Sequence, residues 1–564
     1  MVLAGPGSGK TSVIVERTAY MINEGKIPAS SILVVTFSRA AATEMKERFL
    51  KFVGQNRSEV TFGTFHGIFY GILKAAYHLS AANILSEEEK FSILREMTEK
   101  YGQEMAQEGD FIEEVAREIS VVKGNCISPE HYYASCCSDE IFRDIFHGYK
   151  QALKAKRKLD FDDMILCCYE LFSQRQDILN AWRRKFVYIL VDEFQDVNQA
   201  QFACLQILAE KHQNLFVVGD DDQSIYAFRG ARPDFLLHFP TLYPAAKKVT
   251  LNTNYRSTER IVNLAERVIG NNEVRFVKNM KGIGEAGDKV TFFLAEDAAK
   301  EAAHIAEKIG RLLDEGVPLT EIAVIYRTNL QGGAFARELY KRGIPYDLRD
   351  NSGNVYEHWV AKDLLAYLLL AENEESDSAL RRILNKPKRY IGKDLLAEAE
   401  TMPYTLLRSF FVCPSLKGWQ EENLENLRID LNQIRKRTPY DALKYIRKVI
   451  GYDEYLEEFA AYRRTSAQVL QEIADEIMET AKDCADVRSF REQLERLSLQ
   501  MKEQSRKKGQ KRNGVALMTM HGAKGLEFRA VFLPSLVEGI VPHEKGMDTV
   551  AEERRLFYVA MTRA

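Results

Sequence analysis

The first eleven residues leave this chain little conformational choice. An apolar run, Met1 to Ala4, passes directly into Gly5-Pro6-Gly7-Ser8-Gly9-Lys10-Thr11, and Val13, Ile14, Thr18 and Met21 then recur at helical spacing until Gly25. A strand that turns through glycines into a helix is the opening unit of a parallel α/β sheet. The turn is also a phosphate cradle, because its backbone N–H groups and the positive end of the helix face oxyanions. Lys10 would reach the terminal phosphates and the Thr11 hydroxyl would sit on Mg²⁺. Ala4 stands where the general pattern has glycine. A glycine-rich turn that binds nothing is the plain alternative, and the order Gly9, Lys10, Thr11 argues against it. The chain is expected to bind ATP or GTP.

At 564 residues the chain is too long for one core, so roughly three or four folding units are expected. Short β-rich runs alternate with helical runs in the first half, with candidate strands at 32–37, 60–65, 188–191, 215–219 and 248–251. Between Leu73 and Lys158 the strand signal vanishes into charged helical sequence. The α/β pattern resumes after Ser257, with candidate strands at 290–294, 322–327, 515–520 and 530–533, interrupted by a second helical stretch from Asp363 to Arg506. The expected fold is α/β: two parallel-sheet cores, each interrupted by a mainly helical insertion domain. The bounds are 1–76 and 159–256 for the first core around an insertion at 77–158, and 257–362 and 507–564 for the second around an insertion at 363–506.

Hydrophobic and charged contents of 46% and 28% are those of an ordinary globular protein, and a net charge of −3 decides nothing about a nucleic-acid partner. None of the eight cysteines forms a C-x-x-C pair, which argues against a zinc ribbon or an iron–sulfur cluster. The adjacent pairs Cys136–Cys137 and Cys167–Cys168 read as apolar residues of a reducing compartment. With no signal peptide and no apolar run near the about 18 residues that span a bilayer, the expectation is a cytoplasmic protein without membrane contact.

Two acid-rich segments carry the chemistry. Asp192 and Glu193, in Val191-Asp192-Glu193-Phe194-Gln195-Asp196, follow an apolar strand at the end where open α/β sheets place their ligands. Asp192 could hold Mg²⁺ and Glu193 could orient and deprotonate an attacking water. Downstream, Gly219-Asp220-Asp221-Asp222-Gln223-Ser224-Ile225-Tyr226 follows another strand. The Gln223 amide both donates and accepts, which suits sensing a γ-phosphate. Tyr226, Phe228 and Arg229 offer faces on which bases stack; taken alone they read equally as a core-facing aromatic pair beside a surface arginine.

The order of motifs resembles superfamily 1 DNA helicases of the UvrD/Rep/PcrA type. The segments that carry the resemblance are the phosphate loop, Thr36-Phe37-Ser38-Arg39-Ala40-Ala41, Thr64-Phe65-His66-Gly67, the two acidic segments and Leu251-Asn252-Thr253-Asn254-Tyr255-Arg256-Ser257. They continue with Met520-His521-Gly522-Ala523-Lys524-Gly525-Leu526-Glu527-Phe528 and the run from Glu552 to Ala564 that ends Met561-Thr562-Arg563-Ala564. That family also carries alanine at the position of Ala4.

The resemblance implies two RecA-like cores and an ATP-dependent 3′→5′ helicase or translocase on single-stranded and duplex DNA, in repair, recombination or replication. ATP and Mg²⁺ are the implied cofactors, and repair or replication proteins the implied partners. Catalytic roles fall to Lys10, Asp192, Glu193, Gln223 and two arginine fingers, Arg256 on the first core and Arg563 on the second. Ala4, Gly5, Pro6, Gly7, Ser8, Gly9, Lys10, Thr11 and Glu527 would hold the nucleotide, Glu527 through its ribose, and Thr11 and Asp192 the metal. Phe37, His66, Tyr226, Phe228, Arg229 and His521 would meet single-stranded DNA. Phe228 stands where relatives usually carry tryptophan, which offers a larger face. On their own, Phe37 reads as core, His66 as a local hydrogen-bond partner and Arg563 as a surface cation. Two basic stretches, 154–158 and 506–512, are either phosphate contacts or solvated linkers. Both ends read as clipped: relatives carry an adenine-reading glutamine segment before the phosphate loop and further structure after the last motif. The alternatives are the helicase half of a recombination helicase–nuclease, or an inactive DNA-binding or interaction fragment.

Overall fold

The structure, a computed structural model, describes residues 1–54, 59–101, 109–284, 286–349, 354–373, 375–463, 467–506, 513–543 and 550–564. They form two compact units. One comprises Met1–Phe293, Ala523–Glu527 and Val541–Ala564; the other comprises Leu294–Gly522 and Phe528–Ile540. The helical insertions and the paired α/β cores expected from the sequence are present, but the units divide the chain elsewhere than the expected bounds. Segments 257–293 and 541–564 belong with the first unit.

The first unit is built on a six-stranded, all-parallel sheet. Its strands are β1 (Val2–Ala4), β2 (Ile32–Thr36), β3 (Thr61–Thr64), β4 (Tyr188–Val191), β5 (Leu215–Gly219) and β6 (Val249–Leu251), in the order β3-β2-β4-β5-β1-β6. Every residue of β1 and β2 is buried, as expected for strands covered on both faces. The period-2 alternation of side chains then divides them between two cores. Leu3, Leu33, Val35, Ile189 and Val191 join one cluster with Phe65 and Phe69 of α3 (Phe65–Tyr77). Val2, Ala4, Ile32, Val34 and Leu190 join the other with Ile14 and Val15 of α1 (Lys10–Asn23) and Met45 and Phe49 of α2 (Arg39–Val53).

The first insertion packs α4 (Glu87–Glu99), α5 (Gly109–Gly124) and α6 (Asp139–Lys156) around Leu94, Ile112, Ile119, Phe142 and Tyr149. It is fastened to the core by buried charge. Lys123 on α5 lies 2.7 Å from both Asp160 and Asp163. Asp160 also caps α7 (Phe161–Gln174) and accepts from the Tyr149 hydroxyl at 2.9 Å.

The second unit has a four-stranded parallel sheet of β7 (Ile322–Tyr326), β8 (Tyr346–Leu348), β9 (Val515–Thr519) and β10 (Ala530–Phe532), in the order β8-β9-β7-β10. Its helical part is organised around Trp359–Glu372, whose Val360, Leu364, Tyr367, Leu368 and Leu370 are buried on all sides. One expected strand is absent: 290–294 joins no ladder, and Val290, Phe292 and Leu294 are exposed. Its apolar alternation mimics a half-buried strand, but no described strand lies beside it to pair. The short β8, with Asp347 at its centre, was not foreseen. All eight cysteines are unbonded, and no described helix is long and apolar enough to cross a membrane.

Candidate active site

The phosphate loop connects β1 to α1 at the carboxyl edge of the sheet. Gly7 adopts φ +64°, and a Cβ there would meet Asn254 Oδ1 at 2.7 Å and Arg256 Cβ at 2.8 Å. Gly5 is less restricted: a Cβ on it would meet only the end of the flexible Met280 side chain. The loop is held closed by Ser8 Oγ donating to the Gly5 carbonyl at 2.7 Å and by Tyr255 N–H donating to the Gly7 carbonyl at 2.9 Å. No side chain caps α1. Lys10 opens it and donates to the Ala4 carbonyl at 3.3 Å, with Thr11 next in the first turn.

Beyond the end of β4, Asp192 is buried and its Oδ1 has no hydrogen-bond partner. Burial, the adjacent Glu193 charge and the opposing pull of Lys10 leave its carboxyl raised to about 7. Its other neighbour is the Thr36 hydroxyl, which opposes the rise. An unpartnered buried carboxylate oxygen is a ligand Mg²⁺ takes when substrate phosphates and water supply the rest, so Asp192 fits the metal, and Thr11 in the first turn of α1 is the hydroxyl the phosphate loop offers it. No cluster of three or more metal-ligating side chains occurs among the described residues.

Glu193 sits at φ 49°, a left-handed conformation that is strained for a glutamate. Burial would raise its carboxyl, but Lys10, Lys524 and the Gln195 amide outweigh burial and hold it below the usual range. It is therefore ionised at neutral pH, as a general base must be. Gln195 is fully buried; its Nε2 donates to Glu193 and its Oε1 accepts from Asp220 N–H at 2.9 Å. Gln223 Nε2 donates to Asp220 Oδ2 at 2.5 Å.

Both expected arginine fingers lie in the first unit. Arg256 pairs with Glu527 at 3.0 Å, so Glu527, expected at a ribose, stands beside a finger here. Arg563, expected on the second core, ends the helix Val550–Met561, which packs on α8 (Glu259–Ile269) through Tyr558 against Ala265 and Ile269. Its guanidinium is 1% exposed and donates only to neutral oxygens: Val559 O at 2.8 Å, Leu526 O at 3.3 Å and Thr562 Oγ1 at 3.1 Å. Among the described residues no carboxylate pairs with it. Burial and the repulsion of Arg256 lower its pKa to about 9.

A second group of side chains forms an aromatic face. Phe37 and Tyr226 stack with ring centroids 6.1 Å apart and planes 5° apart, and Phe228 lies 6.0 Å from Tyr226. The Arg229 guanidinium is 5.5 Å from both Tyr226 and Phe228. Phe37 is 37% exposed, so it is not the core residue its strand-end position allows. His66 makes an edge-on pair with Phe161 at 5.5 Å; burial lowers its pKa, against the pull of Asp160. His521 belongs to the second unit, in the turn after β9. In the basic stretch 154–158, Lys158 is tied to Glu89 and the Ile84 carbonyl. Of the stretch 506–512, residues 507–512 lie outside the described residues.

Sequence reasoning assigned no role to Lys524, whose side chain is largely covered. It donates to Asp196 and, at 2.7 Å, to the Gln223 carbonyl, with its ammonium 4.9 Å from the Tyr226 ring. Exposed Phe161 was also passed over. The signal for both was available, since each lies in a stretch already singled out for its neighbours.

Comparisons with known proteins follow the same lines. The family described as UvrD/REP helicase N-terminal domain matches residues 1–244, and UvrD-like helicase C-terminal domain matches 249–564. The chain is 33% identical over its whole length to a putative ATP-dependent DNA helicase YjcD of Bacillus subtilis, of which it covers 75%. It is 33% identical to the ATP-dependent DNA helicase PcrA of the same organism and 32% identical to that of Staphylococcus epidermidis, again over its whole length, covering 79% and 80% of them.

Proposed function

Because the chain belongs to the UvrD/Rep helicase family, we propose that it is an ATP-hydrolysing DNA helicase that translocates 3′→5′ along single-stranded DNA and unwinds duplex. The observation that carries the reading is the buried guanidinium of Arg563, directly paired with no carboxylate among the described residues and only partly offset by Glu193 and Asp220, in the same unit as the phosphate loop, Asp192 and Glu193. A cation without a counter-ion in a dry site is unfavourable unless an anion arrives, and a nucleotide triphosphate is such an anion.

Lys10 and the loop N–H groups bind the phosphates, and Thr11 and Asp192 are the residues that would hold Mg²⁺, which would supply neutralisation of phosphate charge. Glu193 accepts a proton from water as that water attacks the γ-phosphorus, the bond from phosphorus to the β–γ bridging oxygen breaks, and ADP leaves with that oxygen's electron pair. Gln223 contacts the γ-phosphate, and Arg256 and Arg563 stabilise the charge that spreads over its oxygens. Phe37, Tyr226, Phe228 and Arg229 stack bases without regard to sequence. Lys524, held by Asp196 and the Gln223 backbone carbonyl and lying against Tyr226, is the residue through which the two sites would be coupled.

The test is ATP hydrolysis by the chain with and without single-stranded DNA. Stimulation by DNA, abolished by Lys10→Ala, is the expected result. No hydrolysis, or activity unchanged in Lys10→Ala, rejects the reading and favours an inactive DNA-binding fragment. Polarity is read from unwinding of duplexes carrying a 3′ or a 5′ single-stranded tail.

A further inference from the structure

Three consecutive acids after β5 face countercharges that the proposed reaction does not use. Asp220, Asp221 and Asp222 are all buried. Lys278 Nζ, itself wholly buried, lies 3.0 Å from Asp220, 2.6 Å from Asp221 and 2.9 Å from Asp222. Arg275 grips Asp222 with two hydrogen bonds, of 2.9 and 2.6 Å, and comes within 3.9 Å of Glu266. Phe276 N–H adds a bond to Asp221 at 2.8 Å.

Four carboxylates thus face two cations, and they do not share the charge equally. Burial pushes Asp221 and Glu266 up, whereas Lys278, aided by Lys10 and Gln223, overcomes burial and keeps Asp220 below the usual carboxylate range. The acid held below the usual range is the one that reaches the nucleotide machinery. Its Oδ2 accepts from Gln223 Nε2, and its backbone N–H donates to Gln195, which holds Glu193. An amide with its nitrogen pinned on an anion cannot flip, so its carbonyl oxygen and remaining N–H keep fixed directions.

We propose that Lys278 is a positioning residue for hydrolysis. By pairing with Asp220 it fixes the orientation in which Gln223 meets the γ-phosphate, while Arg275 neutralises Asp222. The inference rests on the reading of Gln223 as a γ-phosphate contact.

A buried ion pair also supports folding, so the test separates charge balance from position. Lys278→Met alone strands an acid; Lys278→Met/Asp221→Asn removes one charge of each sign, leaves Arg275–Asp222 intact and deprives Asp220 of its cation. Asp221→Asn alone keeps the Lys278–Asp220 pair. The readouts are the affinity ratio between a non-hydrolysable ATP analogue and ADP, the rate of ATP hydrolysis, and the melting temperature. Asp221→Asn is expected to match the wild-type chain. The double variant is expected to melt below wild type but above Lys278→Met, to remain folded and to bind ADP normally, while its preference for the triphosphate and its kcat both fall by about tenfold, the scale of one charge-assisted hydrogen bond.

A double variant that discriminates and hydrolyses like wild type overturns the inference and leaves the proposed function standing. Equal loss of ADP and triphosphate binding, or failure to fold, assigns Lys278 a structural role and overturns it too. A wild-type chain that neither prefers the triphosphate nor hydrolyses it overturns the functional reading and this inference with it.

Discussion

Replacing Arg563 by methionine should make the nucleotide-free protein more stable and the enzyme inactive. Burial and the nearby Arg256 lower the guanidinium from 12.5 to about 9, equivalent to about 5 kcal/mol of unfavourable interaction for its charged form. Against this stand three hydrogen bonds, to Val559 O, Leu526 O and Thr562 Oγ1, worth about 1 kcal/mol each net. Methionine fills similar volume without charge, so the balance favours the variant by about 2 kcal/mol, a rise of about 3 °C in the transition of a large domain. The measurement is thermal unfolding of both proteins without nucleotide and then with a saturating non-hydrolysable ATP analogue.

The wild-type protein should gain more from the analogue than the variant, because bound phosphates supply the missing counter-ion. Hydrolysis should fall by about 10³-fold, with triphosphate affinity falling far less, as for a group that acts mainly on transition-state charge. The pH dependence has a definite sign. A base whose pKa is lowered by folding destabilises the folded state while charged, and that effect fades as pH rises through the folded value. The stability gap should therefore be complete at neutral pH and narrow above about 9. A variant that melts below wild type without nucleotide, yet gains equally from the analogue, refutes the argument.

Gly7→Ala should abolish nucleotide binding with little loss of overall fold, since the new Cβ meets Asn254 Oδ1 and the residue sits at φ +64°; equilibrium binding of a fluorescent ATP analogue decides it. Tyr226→Ala should weaken single-stranded DNA binding by about 1–3 kcal/mol regardless of base sequence, measured by anisotropy across a salt series. An unchanged affinity would remove Tyr226 from the DNA face. Lys123→Met leaves buried Asp160 and half-buried Asp163 without their shared cation and should destabilise the join between insertion and core by about 3–5 kcal/mol. Hydrogen exchange should then show α5 and α7 opening together, and unaltered protection in both would refute the fastening role.

What the sequence discloses is what lies contiguously at strand ends. Lys10 and Thr11, Asp192 and Glu193, and Gln223 each sit within a few residues of a strand whose unbroken apolar run marks it as buried on both faces. Contacts made across long stretches of chain are hidden. Lys278 reads as an ordinary cation until its segment is found against Asp220, and Lys524 reads as one residue of a motif until Asp196 and Tyr226 close around it. The error at 290–294 has the same origin: alternation reports a preference for pairing, and only the tertiary structure supplies a partner strand. Arg563 was assigned with segment 257–362 to the second core, and its helix does pack on that segment, through Tyr558 against Ala265 and Ile269; what the chain order hid is that both stretches join the first compact unit.

The position of Lys524 bears on how fuel use and DNA grip are joined. Its ammonium is shared among the Asp196 carboxylate, the Gln223 carbonyl and the face of Tyr226. Under the proposed function the Gln223 side chain meets the γ-phosphate and its backbone carbonyl holds Lys524, so a shift of this residue on nucleotide binding would reach Tyr226 through the ammonium. Coupling of this kind is reciprocal: the factor by which DNA tightens triphosphate binding must equal the factor by which triphosphate tightens DNA binding. An intact aromatic face beside a Lys524→Met substitution should therefore still bind DNA and still bind nucleotide, but each with an affinity blind to the other.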